Sequence, residues 1–334
     1  MRKHVMAPLA LAQIVGLVFA LPAAAQEEAA GNQVVVADQG TGGVRGQKVS
    51  ILRQDADWNS RSAEVWSWVP PDRPEWAGIT DAKVRTDPKG RRVVLVSAGA
   101  GGVAVIGERS RKVIWSSTVP RGANAHSIEL LRDGQIVVAG SGDGRTGRGG
   151  ALYFFPATDR KTSRYTQKID FLGAHGVVYN DARLWALGYG SLRQYDIREN
   201  SLKEASPRIT KFWAGGVSEP VGHGHDLATV HRSGSHEMWI TNTHHVYRFD
   251  KYNHTKSPQR LTDSRDGVRV KAVGNQNDGT MVQTRPQDTN KGQCPRDFQT
   301  PTVSMFDVNG RELPSKTRKG SCFYKARPVV WGYY

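Results

Sequence analysis

One short pattern recurs six times along this 334-residue chain and restricts the folds open to it. The segments that open each repeat are Asp81-Ala-Lys-Val-Arg, Ala125-His-Ser-Ile-Glu, Ala174-His-Gly-Val-Val, Gly224-His-Asp-Leu-Ala, Val270-Lys-Ala-Val-Gly and Tyr324-Lys-Ala-Arg-Pro. Five of them run into a turn: Asp87-Pro-Lys-Gly, Arg132-Asp-Gly, Asn180-Asp, Arg232-Ser-Gly and Asn277-Asp-Gly. A second apolar run follows, beginning at Val93, Ile136, Leu184, Met238 and Met281. A polar or glycine-rich loop leads to a third, beginning at Val103, Ala151, Leu192, Val246 and Val303. Short Val-, Ile- and aromatic-rich runs between turn residues are the pattern of strands, and helix signals are poor throughout. Self-similarity at this period points to an all-β, six-bladed β-propeller built of four-stranded blades.

The sixth opener, at Tyr324, has no sequel because the sequence ends at Tyr334. The N-terminal part supplies the missing strands, with Gln33-Val-Val-Val-Ala-Asp as a second strand and Lys48-Val-Ser-Ile-Leu as a third. The C-terminal strand is therefore expected to complete the first blade and to remove the free sheet edges. A seven-bladed ring would need a seventh opener, and none is found. A two-sheet sandwich is the other alternative.

Residues 1–25 read as a secretory signal: Arg2 and Lys3, an apolar stretch from Ala7 to about Pro22, then Ala23-Ala-Ala before Gln26. Residues 26–334 form the single propeller domain, expected to be secreted or periplasmic and monomeric, without membrane insertion. The two cysteines, Cys294 and Cys322, are expected to pair in an oxidising compartment, tying a long loop to the C-terminal strand. The formal charge of +15 favours anionic partners. For an exported chain that partner is an anionic polysaccharide or oligosaccharide, not nucleic acid.

Aligned on their openers, the repeats put Lys83, His126, His175, His225, Lys271 and Lys325 at one register, as a ring on the axis. Three ammonium groups near one another repel unless an anion lies between them, and they push neighbouring histidines toward the neutral form. A neutral imidazole accepts a proton or binds a metal. The three histidines sit on adjacent blades and could offer three nitrogens to one divalent ion. Loops on the same face carry Gln39, Tyr189, Asn242, His244 and Arg285. His223, two residues before His225, is expected to point elsewhere, and Asp226 to face the other side of its strand.

Three functions fit such a ring. A polysaccharide lyase would neutralise a uronate carboxylate with Lys83, Lys271, Lys325 or Arg285. It would take the adjacent proton with His126, His175 or His225, and protonate the leaving oxygen with Tyr189 or a second histidine. A non-catalytic protein would grip an anionic ligand with the same groups, joined by Gln39, Asn242 and His244. A metal-dependent hydrolase or lactonase would hold calcium through oxygen ligands, and this nitrogen-rich, cationic ring argues against it.

The chain resembles a family of bacterial secreted propellers of unknown activity. The residues that carry the resemblance include Val36-Ala-Asp-Gln-Gly, Glu64-Val-Trp-Ser-Trp, Ala125-His-Ser-Ile-Glu-Leu-Leu-Arg-Asp-Gly, Gly173-Ala-His-Gly-Val, Gly224-His-Asp-Leu, Val270-Lys-Ala-Val-Gly-Asn-Gln and Tyr324-Lys-Ala-Arg. They spread over almost all of the chain after the leader. The resemblance implies a propeller and export, and no activity. A looser similarity is to propeller lyases of uronate-containing glycans, which use axial histidines with tyrosine, arginine or a metal. No motif matches them residue by residue, so that link is one of fold and site chemistry.

Overall fold

Twenty-four strands, numbered in chain order, form six four-stranded antiparallel sheets among the described residues. The computed structural model describes residues 32–41, 43–159, 163–205, 223–231, 236–253, 258–286 and 292–331. Met1–Gly31 is a unit apart from Asn32–Tyr334 and lies outside the described residues, as do the expected signal and the turn at 232–235.

Blade 1 holds β1 (Gln33–Asp38), β2 (Lys48–Arg53) and β3 (Glu64–Trp68). Blade 2 runs β4 (Ile79–Thr86), β5 (Arg92–Ala98), β6 (Gly102–Gly107) and β7 (Val113–Thr118). Blade 3 runs β8 (Ala125–Leu130), β9 (Ile136–Gly140), β10 (Ala151–Phe155) and β11 (Gln167–Asp170). Blade 4 runs β12 (Gly176–Asn180), β13 (Arg183–Gly188), β14 (Ser191–Arg198) and β15 (Ser201–Glu204). Blade 5 runs β16 (Asp226–Thr229), β17 (Glu237–Thr241), β18 (Val246–Asp250) and β19 (Gln259–Arg260). Blade 6 runs β20 (Ala272–Asn275), β21 (Met281–Thr284), β22 (Thr302–Phe306) and β23 (Glu312–Thr317). The C-terminal β24 (Phe323–Pro328) pairs with β1 and gives blade 1 its innermost strand, with Val35 opposite Arg327 and Ala37 opposite Lys325.

The innermost strands close a ring. Each packs on the next, from β4 on β8 round to β20 on β24 and β24 on β4. A blade is apolar on both faces because each face meets a neighbour, which is why β5 reads Val93-Val-Leu-Val and all four valine and leucine side chains are buried. Six hydrophobic clusters fill the six gaps between blades. The one between blades 1 and 6 joins Val34, Val36 and Phe323 to Val282, Val303 and Met305. The C-terminal strand is thus fixed both by its ladder and by packing, which is the closure expected from the repeats. No helix among the described residues is long and apolar enough to cross a membrane.

The centre of the ring is ionic. Arg327 on β24 donates from Nε to Asp81 at 2.7 Å and from both terminal nitrogens to Asp226, at 2.9 and 2.5 Å. Lys325 bonds Asp226 at 3.1 Å, and Ser127 Oγ bonds Asp81 at 2.8 Å. Beside them Lys83 bonds Glu129 at 3.3 Å, and Arg85 holds Glu129 in a two-pronged pair at 2.7 Å on each arm. Burial alone would raise the Asp81 carboxyl, but Arg327, Lys325 and Lys83 outweigh it and hold it below the usual carboxylate range. The same contest, decided by Arg85 and Lys83, lowers Glu129. Four cations and three carboxylates from four blades are therefore paired in a buried centre that keeps one net positive charge, and each loses more from an absent partner than it gains from the pairing itself.

Arg327→Met is therefore expected to lower folding stability by about 3–5 kcal/mol, because Asp81 and Asp226 lose their main counter-charge while buried. Chemical denaturation of the two proteins measures it. A loss under about 1 kcal/mol would mean that the central carboxylates do not need Arg327.

Candidate functional site

A cavity of about 720 Å³ opens on the axis at the end where the innermost strands begin. Its floor is one ring of six side chains, one per blade: Thr80, His126, His175, His225, Lys271 and Tyr324. Strand register explains the set. The β4–β5 ladder shifts between Ile79 and Asp81, the β8–β9 ladder between Ala125 and Ser127, and the β1–β24 ladder at Asp38, leaving Thr80, His126 and Tyr324 as the extra residues. In the other three blades the equivalent residue stands just before the first strand. The backbone N–H groups of His175, His225 and Lys271 bond the ends of the second strands at Leu187, Thr241 and Thr284.

This register corrects the expected ring. Tyr324, not Lys325, is the counterpart of His126 in blade 1. Lys325 falls at the next position, with Asp81, Ser127 and Asp226. Thr80 is the counterpart in blade 2, and Lys83 lies three residues further along, level with Glu129 and Arg327. Neither Lys83 nor Lys325 lines the cavity; both are spent on carboxylates and backbone carbonyls beneath it. Lys325 nevertheless shapes the site, since its Nζ also donates to His126 O at 3.2 Å and His225 O at 3.3 Å. Asp226, expected on the far side of its strand, reaches the same central network.

The histidines are held as neutral bases. His126 Nδ1 lies 2.7 Å from Asn124 O, and His175 Nδ1 lies 3.1 Å from Gly173 O. Each Nδ1 therefore carries the proton it donates, and each Nε2 keeps its lone pair. Burial and then neighbouring charge push His126 down to about 3 and His175 and His225 well below the ordinary histidine value. The rings of His126 and His175 lie 4.1 Å apart and those of His175 and His225 5.6 Å. His225 Nε2 faces Lys271 Nζ at 3.0 Å, and its Nδ1 is buried without a partner among the described residues. Burial, with Arg269 and Lys325 nearby, lowers the Lys271 ammonium to about 7. Among the described residues Lys271 Nζ has no carboxylate partner.

The three histidines could have offered their nitrogens to one ion or framed a substrate. Among the described residues no three His, Cys, Asp or Glu side chains stand together as a metal-binding group. Two imidazoles lie tilted over one another, and the third is turned to an amine.

Tyr189 forms a wall. Its ring stacks on His223 at 3.7 Å and lies nearly parallel to His175 at 5.9 Å, while its hydroxyl donates to Gly144 O at 2.8 Å. A Cβ on Gly173 would stand 2.3 Å from that ring, so glycine is what admits it. Burial raises the Tyr189 phenol to about 12, and its proton is already committed to a carbonyl, which suits a wall better than an acid. His223, expected to point away, lines the cavity through this stack. Gln39 also lines it, bonding Ile79 O and accepting from Gln299.

Three other candidates lie elsewhere. Arg285 donates to Gln283 Oε1 and to the carbonyls of Ser264 and Arg265, bracing a loop over Phe306. Asn242 caps its own turn by accepting from the N–H groups of His244 and His245, and its amide reaches Tyr247. His244 is exposed on that turn and outside the cavity.

Sequence reasoning missed the loop that roofs one side. Pro295, Arg296, Phe298 and Gln299 reach the cavity because Cys294 is bonded to Cys322, the residue before β24, with 5.6 Å between Cα atoms. Phe298 meets Tyr324 edge-on at 5.6 Å, and Arg296 brings an exposed guanidinium to the mouth. The cysteine pair was the signal: a cross-link to the strand that bears a ring residue carries its neighbours to the same place.

The model of a family of unknown function, DUF6528, matches residues 9–294. The chain belongs to that family. Among solved structures, a protein of unknown function from Bacteroides caccae is similar at a TM-score of 0.56 and 13% identity, over 90% of this chain and 99% of that one. The WD40 domain of Neurospora crassa Pan2 is similar at a TM-score of 0.50 and 10% identity, over 75% of this chain and 69% of that one. At such identities the likeness is one of fold. No curated protein matches. This DUF6528 member thus takes its fold from the comparison and its chemistry from its own residues.

Stability should fall on acidification. The folded cavity keeps three histidines neutral, while the unfolded chain protonates them below about pH 6.5. A depressed folded pKa means that the unfolded state binds the protons first, so stability drops as pH falls below that value, by up to about 1.4 kcal/mol per pH unit for each histidine. Urea midpoints between about pH 7 and about pH 5 measure it, and His126→Gln should flatten the slope. Midpoints that stay level in the parent protein would contradict neutral buried imidazoles.

Proposed function

We propose that this DUF6528 member is an exported protein whose axial cavity takes an acidic sugar unit and acts on it by acid–base chemistry, as a polysaccharide lyase. The observation that carries the reading is the pair His126 and His175, each bonded through Nδ1 to a backbone carbonyl so that Nε2 is left as an acceptor, in a cavity that also holds Lys271 and Arg296. A site built only to grip an anion would gain by keeping its groups charged. This one sets two Nε2 acceptors beside a hydrogen-bonded amine–imidazole pair.

The assigned roles follow. The Arg296 guanidinium at the mouth meets the uronate carboxylate and makes the adjacent C–H more acidic. Nε2 of His126 or His175 takes that proton. The Lys271–His225 pair returns one to the leaving oxygen as the C–O bond breaks and a C=C bond forms. Phe298, Tyr324 and Tyr189 supply apolar faces for the sugar rings. A panel of uronate glycans, read by ultraviolet absorbance of the unsaturated product, tests this. His126→Gln and His175→Gln are each expected to cut the rate by about 10²-fold or more. A folded protein that is silent on the whole panel, yet retains a uronate oligosaccharide in a salt-dependent manner, would favour the second reading. That reading is an anion-binding protein, and the charge of +15 supports it.

Export rests on the leader-like residues 1–25 and agrees with the Cys294–Cys322 bond. N-terminal sequencing of protein from a cell-envelope or culture fraction is expected to begin at Gln26. Uncleaved chain confined to the cytosol would rule export out.

A further inference from the structure

The three axial lysines are not equivalent. Lys83 is bonded to Glu129 and a backbone carbonyl, and Lys325 to Asp226 and two carbonyls. Lys271 alone of the three lines the cavity, and its Nζ touches only a neutral imidazole among the described residues. The reason lies in its own blade. The next residue along β20 is Ala272, where blades 2 and 5 place Asp81 and Asp226. Blade 6 therefore sets an amine in the ring and no acid beneath it. An amine with no acid bonded to it, buried beside Arg269 and Lys325 with only the more weakly acting Asp297 opposing them, loses its proton easily, and only the free amine is a nucleophile. His225 adds a proton acceptor at 3.0 Å, and among the described residues its buried Nδ1 has no hydrogen-bond partner, a cost without structural return there.

We propose that Lys271 is a nucleophilic amine that condenses with the carbonyl carbon of an aldehyde or α-keto acid held in the axial cavity, with His225 as the group that moves its protons. The ligand class, a carbonyl compound bearing an anionic group, rests on the reading above; the amine chemistry does not require the elimination. Nζ attacks the carbonyl carbon, the C=O π bond breaks, and the oxygen takes a proton to give a carbinolamine. His225 Nε2 accepts the proton that leaves nitrogen. Loss of hydroxide, protonated to water, leaves a C=N bond between Nζ and the former carbonyl carbon. His225 is a positioning and proton-moving residue here, and Lys271 carries the covalent bond.

Reductive trapping tests this in the full-length wild-type protein. Glyoxylate with cyanoborohydride converts a lysine imine into a stable carboxymethyl amine, and peptide mass mapping gives the rate at each lysine. Lys271 is expected to be modified at least tenfold faster than the exposed Lys89 and Lys112. His225→Gln, checked for folding by its denaturation midpoint, should slow Lys271 by tenfold or more and leave Lys89 unchanged. Formaldehyde, a neutral aldehyde, runs in parallel. Preference for glyoxylate over formaldehyde at Lys271, relative to Lys89, supports both parts. Fast modification by formaldehyde without that preference keeps the nucleophile and overturns the anionic ligand class. Lys271 modified no faster than Lys89 by either reagent overturns the nucleophile, whatever the glycan panel shows.

Discussion

Everything at the mouth of this propeller stands on the ion network at its centre. A ring of six blades leaves a narrow axis that must be filled, and here it is filled with charge. Arg327 alone joins Asp81 on blade 2 to Asp226 on blade 5 from the strand that closes blade 1. The chain's last strand thus does more than complete a ladder: it delivers Lys325 and Arg327 to carboxylates that would otherwise be stranded without water. Ring closure and charge neutralisation are therefore one event. A C-terminal strand that failed to dock would leave open sheet edges and take the β24 cations from two buried acids, Asp81 and Asp226, together.

The same network orders the catalytic-looking layer above it. Lys325 bonds the carbonyls of His126 and His225, and Lys83 bonds that of Val177, so cations reach across the axis to hold the backbones of blades 3, 4 and 5. Those are the blades that carry histidine in the ring. Burial, and after it the positive charge beneath their rings, pushes all three below the ordinary histidine value. The arrangement has a cost, since the folded protein keeps titratable groups from the protons that the unfolded chain would accept. It also has a chemical consequence, because an unprotonated Nε2 is available at pH values where a solvated histidine is partly charged.

The blades were readable from the sequence because repetition at this period has few other physical explanations and because apolar runs on both blade faces leave a plain signal. The cysteine pair was readable for a different reason, as the only two thiols in a chain with an export-like leader. The ring was readable only in part. His126, His175, His225 and Lys271 share their place in the opener with Lys325, but three of the six ladders take in an extra residue where they begin. A bulge moves a side chain by one place without changing composition or hydrophobic pattern, so Tyr324 and Thr80 were displaced in the alignment by the more conspicuous Lys325 and Lys83. The post-strand positions behaved likewise. Gln39 and Tyr189 turn toward the axis, whereas Asn242 and Arg285, at the equivalent point, satisfy their own loops. Which of these happens depends on the partners that a loop offers, and those come from distant segments such as Ser264 and Arg265.

The difference between Lys271 and the other two lysines lay furthest from the sequence's reach. All three follow similar openers, and the local marks that separate them, Ala272 beside Lys271 and the register of the other two, acquire meaning only in the closed ring. What separates them is the residue that each faces across a channel, contributed by another blade: Glu129 for Lys83, Asp226 for Lys325 and His225 for Lys271. A toroid makes such pairings by bringing residues 46 to 99 positions apart into contact, so the charge state of any one is a property of the closed ring. Charge compensation in the ring is accordingly incomplete at one place. Beneath the cavity every cation has its acid. At the cavity Lys271 is bonded, among the described residues, only to a neutral imidazole, and that imbalance accompanies alanine at position 272.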